Sequence, residues 1–282
     1  MSKASAVLVQ ESTLIGCGQH DSQADQNSLK GQNIPSNDIS QGSWSDTAAQ
    51  SDAAAWQDMA TAMLSLAELL NNVPSEERAL LLAQSMSIED PSGSAAPGYA
   101  AMRRFFLETS DLTASELTEQ LAVDWTGAFR GVDRQRGPKP PYAGAWLAAD
   151  GLGVQVMQEI NQAYAEAGLG STGEGLNRLD YLGVELEFIG HLAQRIASTT
   201  CAADTSATST TCAAATCATA ACASTAAANA AARQALAGFL DKYVLSWVGD
   251  YVAAARGCAR TDFLRGFLDL LEALLREMRE AL

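Results

Sequence analysis

The chain has 282 residues, of which 48% are hydrophobic, so it contains enough apolar material for a sizeable core. Its 33 acidic and 18 basic residues give a net charge of −15 at pH 7. This acidity predicts no affinity for nucleic acid or anionic lipid and favours basic partners. No apolar run is long enough to cross a membrane, and the apolar stretch near the start is too short for a signal peptide, so we expect no membrane insertion and a cytoplasmic protein.

Two segments differ in composition from the rest of the chain. Residues 1–50 are rich in Gln and Ser, and they contain too little apolar surface to offset the entropy of ordering, so we predict a disordered tail. Residues 198–232 consist almost wholly of Ala, Thr, Ser and Cys, which indicates a flexible low-complexity insertion between two helices. The remainder of 51–282 is predicted to be one globular domain.

Helical signals fill the first half of this domain. Apolar residues at helical spacing predict a helix over 56–70, and Ser75 is placed to cap a second helix that follows Pro74. A third helix is predicted over 99–108. Thr113 and Glu116 form a capping-box pattern, in which each side chain accepts a hydrogen bond from the other residue's backbone N–H group, so a fourth helix should begin there.

The second half shows the same periodicity after a Gly- and Pro-rich loop at 131–141. Four further helices are predicted around residues 154–164, 182–192, 236–251 and 263–278. Gly168 is placed to end the first of these four. No stretch alternates as a strand would. The fold class is therefore predicted to be all-α, with about eight helices around one core.

The cysteines are the strongest candidates for a metal or redox site. Four of the six lie in the insertion, at Cys201, Cys212, Cys217 and Cys222. On a helix, thiols that are five residues apart point about 140° away from each other, so they do not converge on one ion. In a loop they could converge, although nothing in the sequence fixes them. Compositional drift and a metal- or redox-responsive role both remain open.

No enzyme active site is evident. Only His20 and His191 are present, and no phosphate-binding loop occurs. Glu185 and Glu187 diverge by about 200° on a helix, and Asp180 is placed to cap that helix. We therefore predict a protein that is not an enzyme, and we assign it no cofactor and no metal-ligating residue, with nucleotide binding left open.

Three stretches taken together resemble one family. They are Trp125-Thr-Gly-Ala-Phe129 followed by Gly137-Pro-Lys-Pro-Pro-Tyr142, then Leu179-Asp-Tyr-Leu-Gly-Val-Glu-Leu-Glu-Phe188, and then Phe239-Leu-Asp-Lys-Tyr-Val-Leu-Ser-Trp247. In this order they are similar to motifs of the TorD/DmsD family of cytoplasmic chaperones for molybdenum enzymes, whose fold the NarJ group shares. Tyr181 and Tyr243 stand where that family has His, and Ala143-Gly144 stands where it has Glu-Ser.

The resemblance implies an all-α chaperone without catalytic activity. Such proteins bind the twin-arginine signal peptide of a molybdopterin enzyme, or the immature enzyme itself, and hold it in the cytoplasm until the cofactor is inserted. Asp180 and Tyr181 match the family's peptide-binding region, and Pro140, Pro141 and Tyr142 match the loop that shapes it. A monomer or a helix-swapped homodimer would be in keeping with the family.

Residue chemistry adds three candidates. Glu185 is a possible acidic partner for the peptide's arginines, and Trp146 and Trp247 are possible apolar walls, because such a ligand needs carboxylates and an apolar groove. Each has an alternative interpretation, with the glutamate solvated and both tryptophans in the core. A scaffold that has lost its peptide site is the remaining alternative for the function.

Residues 102–107, Met-Arg-Arg-Phe-Phe-Leu, are similar to the core of a twin-arginine signal. An ordinary amphipathic helix is the simpler interpretation. An internal mimic that occupies the protein's own peptide groove is the other.

Overall fold

This computed structural model describes residues 42–86, 95–130, 137–148, 153–170, 178–207 and 215–282, except for the side chains of 42–49 and 201–222. These ranges form helices connected by turns, and they contain no strand. The helices are α1 (Gly42–Asn71), α2 (Glu76–Ser85), α3 (Ala96–Glu108), α4 (Ala114–Phe129), α5 (Ala143–Leu147), α6 (Val154–Glu166), α7 (Leu182–Ala207), α8 (Ala215–Phe239), a π-helical turn (Leu240–Val244), α9 (Val248–Cys258) and α10 (Asp262–Glu280). The predicted all-α class is confirmed.

The helix-boundary signals in the sequence are also found in the structure. Ser75 accepts a hydrogen bond from the backbone N–H group of Arg78 (3.3 Å) at the start of α2. Thr113 and Glu116 form both bonds of the capping box at the start of α4. Gly168, just after α6, adopts a positive φ of 67°, which favours Gly at the end of a helix.

Helix α7 lies at the centre of the core, and α1 packs along it. The apolar face of α7 is buried against Trp56, Met63 and Leu70 of α1, all at most 1% exposed. Gly183 and Gly190 allow this close approach, since a Cβ atom at either position would meet a side chain of α1.

Helices α3 and α10 cross at two glycines. Gly98 and Gly266 bring the two backbones together, because a Cβ atom on either would meet the other's carbonyl oxygen. Phe105 and Phe106 of α3 then pack on Phe263, with their ring centroids 6.0 and 5.5 Å from its centroid and 5.4 Å from each other. The mimic interpretation of residues 102–107 is therefore wrong, because both phenylalanines lie in the core.

The chain between residues 236 and 251 is not the single helix predicted. The backbone N–H group of Leu245 bonds to the carbonyl of Leu240 (2.8 Å), five residues earlier, so the helix widens into a π turn before α9 begins. The wider turn lets Leu240, Val244 and Trp247 all face the core, each at most 2% exposed. Helix α5 was also missed, since five residues are too few to show a period.

The helices extend further into both unusual segments than the sequence predicted. Helix α1 begins at Gly42, and within 198–232 the described backbone is helical to Ala207 and again from Ala215. Alanine is the best helix former, and the Asn229 side chain ties α8 to α7 by donating to the Ile196 carbonyl (3.1 Å) and the Thr199 hydroxyl (2.8 Å). The side chains of the four insertion cysteines, and residues 1–41, lie outside the described part. None of the described helices has the length and hydrophobicity that a membrane span requires.

Candidate peptide-binding site

Two of the motif segments are joined directly. Tyr142, in the proline-rich loop, and Tyr181, just before α7, form an isolated antiparallel bridge. The backbone N–H group of Ala143 donates to the Asp180 carbonyl (2.8 Å), and that of Leu182 donates to the Pro141 carbonyl (2.9 Å). This pairing places the Asp180 side chain under the start of α5.

Asp180 is fully buried, and its carboxylate accepts hydrogen bonds from two of the described residues. The guanidinium group of Arg178 donates from Nε to Oδ1 (2.9 Å) and from Nη2 to Oδ2 (2.8 Å). The backbone N–H group of Gly144 also donates to Oδ2 (3.1 Å). Helix α7 begins at Leu182, and the carboxylate is directed to Gly144 instead, so the predicted capping role of Asp180 is wrong.

The same guanidinium group lies over an aromatic ring. The Arg178 Cζ atom is 5.2 Å from the centroid of the Tyr142 ring. In this arrangement the two carboxylate oxygens accept from two N–H groups of one guanidinium group, and an aromatic face lies beside it. Arginine fits this geometry and lysine does not. We call Asp180 and the Tyr142 ring the guanidinium cradle.

Tyr181 lies in the interior, beneath the cradle. It is 0% exposed, its hydroxyl donates to the Leu70 carbonyl at the end of α1 (2.7 Å), and its ring centroid is 5.3 Å from that of Tyr142. Burial raises the pKa of Tyr181, so the phenol stays neutral. Tyr181 therefore positions the bridge and does not present a surface to a peptide.

Glu185 is also buried in the first turn of α7. It is 0% exposed, and neither carboxylate oxygen has a hydrogen-bond partner among the described residues. Burial raises the pKa of Glu185 well above its ordinary value, and the charge on Asp180 adds to the effect. A fully buried carboxyl group cannot reach an arriving arginine at the surface, so the predicted role of Glu185 as an accessible acid partner is wrong.

The two tryptophans form a stacked pair beside the proline-rich loop. The Trp146 indole N–H group donates to the Pro140 carbonyl (3.1 Å), and the ring is stacked on Trp247 with centroids 6.0 Å apart and planes at 22°. Trp247 is 2% exposed, whereas Trp146 is only partly buried. The structure thus places Trp247 in the core, whereas Trp146 keeps part of its surface accessible, with Lys139 over its ring.

A groove of about 740 Å³ runs between α6, α7 and α8. Its floor contains Phe188, Phe239 and Tyr243, and small side chains of α8 form one wall. These are Ala228, Ala231, Ala232, Ala235 and Gly238. Ala228, Ala231 and Ala232 belong to the segment that the sequence analysis interprets as a flexible insertion, so sequence reasoning missed the wall.

Tyr164 connects the groove to the cradle. Its hydroxyl donates to the Leu179 carbonyl (3.0 Å), next to Asp180, and its ring centroid lies 4.5 Å from that of Phe188 on the groove floor. Charged side chains of Glu159, Glu166, Arg195 and Lys242 line the rim. The candidate site therefore consists of the guanidinium cradle and the apolar groove, and the Tyr164 side chain connects these two regions.

Comparison with known proteins decides the family. The chain matches a family described as nitrate reductase delta subunit over residues 93–253, more than half of its length. The chain belongs to the nitrate reductase delta subunit family. This is a family of molybdoenzyme maturation chaperones. No curated protein shows a significant match to the chain.

The delta-subunit match spans all three motif segments, from just before α3 to within α9, and it leaves out α1, α2 and α10. The family is one of chaperones and not of catalysts. Among the described side chains, no group of three or more His, Cys, Asp and Glu could hold a metal ion.

Proposed function

We propose that this delta-subunit family member is a cytoplasmic chaperone of the TorD/DmsD type, which binds the twin-arginine signal peptide of an apo-molybdoenzyme catalytic subunit. It would hold that subunit until the cofactor is inserted. The family supports the general maturation role. The observation that carries the peptide-binding part is the guanidinium cradle.

The chemistry of the cradle fits one arginine of such a peptide. A guanidinium group can bond both oxygens of Asp180 and stack on Tyr142, whereas an ammonium group supplies only a point charge. The net charge of −15 would favour the approach of a basic peptide.

The groove fits the apolar stretch that follows the arginines in a signal peptide. An extended or helical apolar segment would lie along the floor formed by Phe188, Phe239 and Tyr243, and the alanine wall lets a backbone approach closely. Trp146 would add apolar surface at the loop. We propose that the protein acts as a monomer or as a homodimer formed by exchange of helices.

Titration calorimetry with synthetic twin-arginine signal peptides tests this proposal. We expect binding that weakens when the arginines are replaced by Lys or Gln. Asp180→Asn should weaken binding at least about tenfold, because it removes the charge of the fork acceptor. Asn is chosen over Ala because its carbonyl oxygen still accepts from Gly144, which Ala would leave unpaired in the core.

Asp241→Asn is the matched control. Asp241 forms the same two-bond fork with Arg279 (2.7 and 2.9 Å) but is exposed and outside the cradle, so its loss should leave peptide affinity unchanged. Equal affinity of Asp180→Asn and the wild type would remove the cradle from the site.

Two observations favour the second candidate, a helical scaffold without a peptide site. Arg178 already fills the cradle, and Tyr181 is locked to Leu70 where the family has His. Failure of every twin-arginine peptide to bind the folded protein would support this scaffold.

A further inference from the structure

Arg178 occupies the position that the proposed function assigns to an arginine of the client. Its fork bonds Asp180, and its guanidinium plane lies over Tyr142. We infer that Arg178 is a built-in competitor, which fills the guanidinium cradle in the free protein and must be displaced by the arginine of the client peptide. This inference rests on the proposed function and adds a regulatory residue to it.

The two partners differ in how firmly they are held. Asp180 is fixed by the backbone bridge on both sides, by the Gly144 N–H group and by complete burial. The Arg178 side chain is 47% exposed. It lies at the surface, before the bridge begins, so its guanidinium group can turn into solvent while the carboxylate remains in place.

The burial of Asp180 explains why an occupant is needed at all. A carboxylate removed from water without a countercharge is strongly destabilising. Arg178 neutralises Asp180 whenever no client is present, and a client arginine would take over the same hydrogen bonds. Binding is then an exchange of one guanidinium group for another, and the cradle stays charged and preformed throughout.

Exchange has a quantitative consequence. When a side chain of the same protein occupies a site, only the open fraction of the protein can bind the ligand. The apparent affinity is therefore reduced by the ratio of the occupied form to the open form. For the half-exposed pair of hydrogen bonds between Arg178 and Asp180, which are two residues apart in the chain, we expect the occupied form to exceed the open form about tenfold. The same factor applies to every ligand of the cradle.

Calorimetry of Arg178→Ala with the twin-arginine peptide is the direct test. We expect its affinity to rise about tenfold over the wild type, with no gain for the peptide whose arginines are replaced by Gln. Arg279→Ala is the matched control, because it removes a fork of the same geometry from Asp241 outside the cradle and should leave the affinity unchanged.

Arg178→Lys guards against a variant that does not fold. It keeps a countercharge for Asp180 but loses the two-bond geometry of the guanidinium group. The peptide affinity of this variant should therefore lie between that of the wild type and that of Arg178→Ala. In the wild-type protein, the ¹⁵N-detected side-chain Nε–H signal of Arg178 should shift towards that of free arginine as the peptide is added.

The outcomes separate the inference from the function on which it rests. Binding by the wild type with no gain, or a loss, in both Arg178 variants overturns the competitor role and leaves the chaperone proposal standing. An Nε–H signal that does not move on peptide binding overturns it as well. Failure of the wild type and both variants to bind removes the proposed function and this inference together.

Discussion

Replacing Glu185 with Gln should reduce the pH dependence of stability. In the wild-type protein, we expect the free energy of unfolding to fall as the pH rises from mildly acidic to neutral, and the variant should show less of this fall. Burial, with the charge of Asp180, raises the folded-state pKa of Glu185 well above the ordinary value of about 4.5 for a glutamate. Between the unfolded and folded pKa values, the unfolded chain has released this proton and the folded protein retains it. The free energy of unfolding therefore falls as the pH rises, by up to about 1.4 kcal/mol per pH unit from this group.

Urea unfolding at a series of pH values measures this slope. Gln has nearly the shape of a protonated Glu but no proton to release, so Glu185→Gln should lack the contribution and be more stable than the wild type at neutral pH. Glu77→Gln, on the exposed side of α2, is the control and should keep the wild-type slope. An unchanged slope in Glu185→Gln would mean that Glu185 is ionised in the folded protein.

Gly266→Ala should destabilise the protein by about 3 kcal/mol. Overpacking commonly costs about 1–3 kcal/mol, and we expect the upper end because the new Cβ atom would meet backbone, which cannot move aside as a side chain can. A Cβ atom at Gly266 would meet the Gly98 carbonyl oxygen and lie 2.9 Å from both the backbone nitrogen and Cγ of Met102. Relief requires the whole of α3 to shift on α10, which would disturb the Phe105 and Phe263 contact.

Gly127→Ala provides a matched comparison of opposite sign. Gly127 lies inside α4, and a Cβ atom there would meet nothing within 4 Å. Alanine is favoured over glycine inside a helix by about 1 kcal/mol, so this variant should be more stable than the wild type. Denaturant unfolding of both variants at one pH checks the pair, and a neutral effect of Gly266→Ala would show that the crossing can relax.

Local signals explain which parts of the fold could be predicted. The capping residues Ser75, Thr113 and Glu116 act within one turn of chain, so their spacing is enough to place α2 and α4. The π turn could not be foreseen, because it depends on how Leu240 and Trp247 meet the rest of the core.

The candidate site was predicted in its components but not in its arrangement. Resemblance brought Asp180 and Tyr142 into one region, but the contact of Asp180 with Gly144 spans 36 positions in sequence and leaves no local pattern. Glu185 was placed wrongly although the information was present. It follows Tyr181 by four residues and Leu182 by three, so it lies on the same buried face of α7.

The connections of α1 bear on where the minimal folding unit ends. This helix precedes the family match, yet its last turn accepts hydrogen bonds from Trp125 and Tyr181 at the carbonyls of Leu69 and Leu70 (2.7 Å each). Its Trp56 is 1% exposed in the core. A recombinant fragment trimmed to residues 93–253 would uncover the apolar side of α7 and leave two buried donors without acceptors. The segment that sequence comparison recognises is thus smaller than the segment that can fold, and α1 belongs to the autonomous unit.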